Sequence, residues 1–227
     1  MKSLQLLRRY SLARLVLCPS VVAFSPNFAL SSQRYKSSTA MASSSPTASS
    51  STSSSSQTIG TPSKELLNLF NEQVTNEFTA SHLYLSASIW FNARDWEGMA
   101  AYMLSESEEE RGHALSFIDF GIKRNIPLQL QSLDEPPSAW HSPEDVWETL
   151  LAAEKENTQS LLKIAEEAKE CNDFSLVHFL NPFHMEQVES EDKLGTILSK
   201  VKDEKKTPGL LRQLDNQLGE EASSENE

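Results

Sequence analysis

Cysteine is nearly absent from the 227 residues: Cys18 and Cys171 are the only two, so at most one disulfide can form. Cys18 lies in a segment expected to be removed, which argues against even that one, and Cys171 reads as a helix-end residue with no case for reactivity. There is no glycine-rich phosphate loop, no Gly-x-Ser-x-Gly turn and no alternating strand pattern. The apolar run from Leu15 to Phe24 is too short to span a bilayer. Acidic residues are missing altogether before Glu65, where Lys2, Arg8, Arg9, Arg14, Arg34, Lys36 and Lys64 give +7. The whole chain carries −12, so residues 65–227 carry −19. A body that acidic repels nucleic acid and anionic membrane surfaces and favours cations.

Residues 1–60 read as an address followed by a linker, expected to be disordered and removed. A basic start leads into the apolar run, and an acid-free, Ser/Thr-rich stretch follows to Gly60. An Arg-rich, Ser-rich, acid-free segment fits a mitochondrial or plastid transit peptide. The step from Ala23 to Phe24 at the end of a short apolar core resembles the bipartite plastid presequences of diatoms and related algae. Plastid localisation is therefore the expectation, with the mitochondrion as alternative and no membrane association after processing.

From residue 61 the pattern becomes helical. Thr61-Pro62-Ser63 predicts a helix start, with a capping hydroxyl and Pro in the first turn. The first helix runs to about Asn92, with Leu66, Phe70, Val74, Glu77, Ser81, Tyr84 and Ser88 on one face. A second, Trp96 to about Lys123, turns Met99, Met103, Glu106, Glu110, His113, Phe117 and Phe120 inward. Asn125 to His141 has Pro127, Pro136 and Pro137 and no helical period, and is long enough to cross the length of a bundle. Ser142-Pro143-Glu144-Asp145 restarts a helix that reaches Glu170, with Trp147, Leu150, Glu154, Leu161, Ala165 and Ala168 inward. Asn172-Asp173 caps a fourth, with Val177, Leu180, His184, Gln187, Leu194, Leu198 and Val201 inward and a kink expected at Pro182. A short fifth helix spans Leu210 to Leu218, is suited to a subunit junction, and leaves 219–227 as a loose acidic tail. The expectation is one all-α domain over 61–218: a four-helix bundle with a long crossover between helices two and three and a short fifth helix.

Within those faces the ionisable residues need a reason. A buried carboxylate costs several kcal/mol unless it is paired or binds metal. Glu77, Glu110 and Glu154 fall near mid-length on three helices, His113 lies one turn from Glu110, and Gln187 stands on the fourth. Oxygen-rich ligands with one imidazole suit iron or manganese better than copper or structural zinc. Three carboxylates set −3 against +4 for two Fe(II) ions, which leaves room for water, hydroxide or peroxide.

These residues carry a specific resemblance. Asn71-Glu-Gln-Val-Thr-Asn-Glu77 with Tyr84, Glu109-Glu110-Arg-Gly-His113, Glu154 with Asn157-Thr-Gln-Ser-Leu-Leu162, and Glu186-Gln187-Val188 resemble the ferroxidase pattern of ferritins in order and spacing. Ala80-Ser81, Trp90-Phe91, Trp96-Glu-Gly-Met-Ala-Ala-Tyr-Met103 and Phe179-Leu-Asn-Pro-Phe183 are similar to the ferritins of marine diatoms. The resemblance implies a ferritin-like fold and an iron storage subunit. It also implies a ferroxidase (EC 1.16.3.1) that oxidises Fe(II) with dioxygen and deposits Fe(III) as mineral. Glu77, Glu110 and His113 would hold the first iron, and Glu110 would bridge to a second completed by Glu154 and Gln187. Tyr84 would be redox-active, and Glu106 an additional metal ligand able to take a third iron. No haem is implied, and the homo-oligomer would have 24 subunits around a cavity. Three departures stand out: Ser190 where a further Glu ligand is often found, Val177 and Leu180 in place of pore-lining acids, and no second Glu-x-x-His. The alternatives are a non-catalytic, mineral-nucleating subunit and a di-iron oxygenase or rubrerythrin-like peroxidase.

Overall fold

A computed structural model of the chain describes residues 62–203 and 209–224. The presequence expected over residues 1–60 lies outside the described residues, as does Thr61. Five helices follow in order: α1 Lys64–Asn92, α2 Glu97–Lys123, α3 Pro143–Glu170, α4 Phe174–Asp203 and α5 Leu210–Ser224. No strand occurs among the described residues, and no helix among them is long and apolar enough to cross a membrane.

Local chemistry sets the boundaries. Ser63 caps α1, its Oγ accepting from the Leu66 amide at 2.9 Å, so Pro62 precedes the helix instead of occupying its first turn. Ser142 caps α3 through the Asp145 amide, with Pro143 in the first turn as expected. Asp173 caps α4 through the Leu176 amide at 3.1 Å, and Arg124, at the end of α2, grips the same carboxylate at 3.0 and 2.9 Å. Asn125 and Asn172 take positive φ at the ends of α2 and α3, a conformation asparagine tolerates better than most residues.

The bundle interior has two apolar ends. One holds Leu66, Phe70, Val74, Phe117, Leu161, Ile164, Leu176, Leu180 and Phe183. The other holds Tyr84, Phe91, Met99, Met103, Trp147, Leu150, Leu194 and Leu198. Ile126, at the start of the α2–α3 connection, is buried in the first end, and Trp140, at its finish, in the second. The crossover therefore travels the bundle, strapped to α1 by Asn71 on Pro127 and Gln129, and by the Trp90 indole on the Trp140 carbonyl. Between the two ends lies a belt of buried polar residues: Gln73, Glu77, Ser81, Ser107, Glu110, Glu154, Asn157 and Gln187. Ser81 and Ser107 each donate to the other's carbonyl at 2.7 Å and pin α1 to α2 there.

Two expectations are corrected. On α4, Leu176 and Phe183 are buried where Val177 and His184 were expected; the latter two are only partly buried, Val177 packing beside the larger Leu176 and the polar His184 beside the apolar Phe183. The fifth helix runs on to Ser224, so residues 219–224 are helical and not loose. Gly219 does not stop it, because there α5 crosses α2: Gly219 N and Gly98 Cα come close enough that a Cβ on either residue would meet backbone. The crossing also caps α2. Trp96 offers no side-chain cap, and Asp215 of α5 accepts the Met99 amide at 2.9 Å in its place. Leu214, Leu218 and Ala222 bury the rest of the α5 face against the chain's own helices.

Candidate metal centre

The polar belt contains every carboxylate singled out on the first and third helices. Glu77 is 1% exposed, Glu154 3%, Glu110 6% and Gln187 5%. Ligand atoms of Glu77, Glu110 and His113 all lie within 4.8 Å of one another, a spacing that can close around a cation. His113 Nδ1 stands 3.5 Å from Glu110 Oε2, which otherwise has no hydrogen-bond partner despite its burial. An orphaned buried acceptor flanked by a carboxylate and an imidazole is what a bound cation would complete. The His113 ring is held edge-on by Phe183, with centroids 5.3 Å apart.

Glu154 and Gln187 are joined to each other and lie outside that trio. Glu154 Oε2 accepts from Gln187 Nε2 at 2.9 Å, and Oε1 accepts from the Tyr84 hydroxyl at 2.5 Å. Gln187 thus shows its NH2 to Glu154, and it would have to turn its amide over to offer oxygen to a cation. Glu106 is half-buried, accepts a hydrogen bond from Tyr102 and feels the charge of Lys193. It does not join the trio. A second cluster, Glu109, His113 and Glu186, forms on the more exposed side, with His113 Nε2 3.2 Å from Glu186 Oε2. The two clusters share His113.

Four residues of the centre escaped the sequence reading as individuals. Gln73 donates to Glu77 Oε1 at 2.7 Å and to Asn157 Oδ1 at 2.6 Å, and Asn157 Nδ2 reaches Glu77 Oε2 at 3.4 Å. Both Glu77 oxygens are therefore oriented by amides. Thr158 bridges Gln187, at 3.3 Å, to Glu191, at 2.7 Å. Gln73 lies one turn before Glu77 and Asn157 one turn after Glu154, so the inward-stripe logic that selected the glutamates also reaches these two.

Burial is the largest influence on every shifted carboxyl. It pushes Glu77 well above the usual range, with the neighbouring Glu110 adding to the effect. Glu110 is pushed up to about 8 by burial and then by the charge of Glu154, and Glu106 to about 7 by burial. A hydrogen bond between Glu77 and Glu110 raises the first and lowers the second, so the two share protons at neutral pH. A divalent cation must displace them. Adding Zn(II), a redox-silent probe, at pH 7 in weak buffer is expected to release about one or more protons per subunit, and fewer at pH 9.

The same shift sets stability. Glu110 is protonated up to about 8 when folded and to about 4.5 when unfolded. The native metal-free chain thus binds more protons across that window and loses stability as pH rises through it, on the order of a few kcal/mol. The melting temperature of Glu110→Gln should overtake wild type between pH 5 and 8. Parallel curves would contradict the shift.

A surface recess of about 740 Å³ lies between the start of α2 and α5 and contains none of these side chains. Sequence comparison agrees with the belt. The ferritin family, described as a ferritin-like domain, matches residues 67–203. The chain is 34% identical over 140 residues to a bacterial non-heme ferritin of Bacteroides fragilis, covering 62% of this chain and 88% of the relative. It is 31% identical over 140 residues to one from Campylobacter jejuni, covering 62% and 84%. The crystal structure of apo-ferritin from Pseudo-nitzschia multiseries matches at 62% identity with a TM-score of 0.65, covering 67% of this chain and 98% of that one. A crystal structure of a PmFTN variant soaked in iron overnight matches with the same figures. With this match over the helices that build the belt, the chain belongs to the ferritin family.

Proposed function

We propose that this ferritin is a ferroxidase: it binds two Fe(II) per subunit in the polar belt, passes their electrons to dioxygen and delivers Fe(III) to a stored mineral. The observation that carries this reading is the cluster of buried Glu77 and Glu110 with half-buried His113, and the orphaned Glu110 oxygen at its heart. Glu77 and His113 are assigned to the first iron, Glu154 and Gln187 to the second, and Glu110 to both. Carboxylates favour the more highly charged Fe(III) over Fe(II) and so ease electron loss. Two Fe(II) and two protons convert one dioxygen to hydrogen peroxide. Tyr84, whose hydroxyl donates to Glu154, is assigned as the redox-active residue beside the second iron, with Glu154 placed to take its proton.

Glu106 is assigned an accessory role. It lies one turn from Glu110 and outside the trio, so it can pass iron to the pair or take a third ion, together with Glu109 and Glu186 beside His113. The subunits are proposed to assemble as 24 around a cavity. Aerobic addition of two Fe(II) per subunit, followed by stopped-flow absorbance and an oxygen electrode, tests the reading alongside sedimentation of the particle. A fast phase consuming about one dioxygen per two irons, in a 24-subunit particle, is expected. Slow oxidation at the rate of protein-free iron would place the chain among mineral-nucleating subunits.

Residues 1–60 are proposed to direct the chain to a plastid. Fused to a fluorescent reporter in an alga, they should light that organelle. Mitochondrial fluorescence would reject the bipartite reading, and cytosolic fluorescence any presequence.

A further inference from the structure

The groove between α1 and α3 is not used by the mechanism above. It encloses about 640 Å³, and Asn76, Thr79, Ala80 and Leu83 of α1 face Ala153 and Asn157 of α3 across it. These are the outer sides of the very turns whose inner sides hold metal ligands. Asn76 and Ala80 bracket Glu77, and Ala153 and Asn157 bracket Glu154. Asn157 is a groove residue that also touches the centre, 8% exposed and with its Nδ2 reaching Glu77 Oε2 at 3.4 Å. Its other contact, Gln73, is fully buried with an oxygen that has no partner, so the floor is a polar plug with one bond unmade.

The charges along the groove cancel: Glu72 and Glu156 stand against Lys155 and Lys163. The lining itself adds no net charge to draw a cation there. The His113 side differs, because Glu109 and Glu186, neither of which lines the groove, put acid beside His113. The lining is mostly polar, with Ala80, Leu83 and Ala153 as its apolar part, and it carries no net charge that would select an ion over a small neutral molecule.

We propose that the α1–α3 groove is the dioxygen entrance of the metal centre, closed by Asn157, while iron arrives from the acidic His113 side. This rests on the ferroxidase reading. It separates the two reactants: the cation follows charge, and the neutral oxidant follows a recess whose own charges balance and that ends one side chain from Glu77.

Filling the groove without touching a ligand tests it. Ala80→Phe places a ring over the floor, and Thr79→Trp, at an exposed position, provides a second filled variant should the first not fold. In intact particles the second-order dependence of Fe(II) oxidation on dioxygen should fall at least threefold. Anaerobic binding of Co(II), in rate and stoichiometry, should match wild type. Xenon under pressure, an apolar stand-in for dioxygen, should occupy the groove in wild-type crystals and be lost from the filled variant. Unchanged dioxygen dependence in a filled variant, an empty groove under xenon, or slowed Co(II) binding in its place would each overturn the proposal. Failure of the ferroxidase reading looks different, because wild type itself would then oxidise no Fe(II) at the centre.

Discussion

Glu110→Ala is expected to slow the first aerobic oxidation of two Fe(II) per subunit on the order of 100-fold or more, since it removes the residue proposed to bind both irons and even outer partners of metal ligands are worth 10–100-fold. Glu110 is the residue that both halves of the centre feel. It shares a hydrogen bond with Glu77, lies 3.5 Å from His113 and is raised by the charge of Glu154, so its loss leaves neither half complete. Paired metal binding should vanish together with the rate. Glu106→Ala provides the contrast. Its carboxylate accepts from Tyr102, feels the charge of Lys193 and is not part of the trio, so the initial burst should stay within about threefold of wild type while later turnover changes. Neither change should unfold the bundle, because deleting one of several clustered carboxylates also relieves repulsion in the metal-free state. If Glu106→Ala abolishes the burst and Glu110→Ala spares it, the bridging assignment is wrong.

Gly98→Ala should have the largest effect on stability. A Cβ there would sit 1.8 Å from the Asp215 carbonyl oxygen, 2.7 Å from its carbon and 3.1 Å from Gly219 N. All three are backbone atoms, so no side chain can swing aside, and α5 must leave. With it go the Asp215 cap on Met99 and the burial of Leu214 and Leu218. A lost cap is worth about 1 kcal/mol and each exposed leucine about 1.5–3 kcal/mol, so several kcal/mol should be lost. Protease should then cut within residues 209–224. Gly112→Ala is the control: its Cβ meets nothing within 4 Å, and the change should stabilise α2 by up to about 1 kcal/mol. Equal melting of the two variants would show that the helices do not cross as closely as described.

The contrast between α1 and α5 shows what the sequence could carry. All seven residues expected on the inner face of α1 are buried, because helical spacing and polarity are local facts about neighbouring residues. The same spacing located Glu77, Glu110 and Glu154 in one belt, since a carboxylate framed by apolar turns has few other uses. For α5 the local signals misled. Gly219 and the polar Glu220 to Ser224 look like a helix end, yet Gly219 is small because another backbone passes it. Asp215 capping a helix more than a hundred residues earlier is likewise invisible before the chain has folded. Within the site, Gln73 and Asn157 come from α1 and α3, and only packing shows that their amides meet over Glu77. The orientation of Gln187 is also set by a neighbour, the Glu154 carboxylate, and not by its own helix.

The central claim is that Glu110 stands between two irons. Crystals of the full particle soaked in Fe(II) without oxygen, with diffraction recorded on both sides of the iron absorption edge, would locate each ion directly. Two anomalous peaks per subunit are expected, one beside Glu77 and His113 and one beside Glu154 and Gln187, with Glu110 reaching both. A single peak confined to Glu109, His113 and Glu186, with Glu154 still bound to Tyr84 and Gln187, would contradict it.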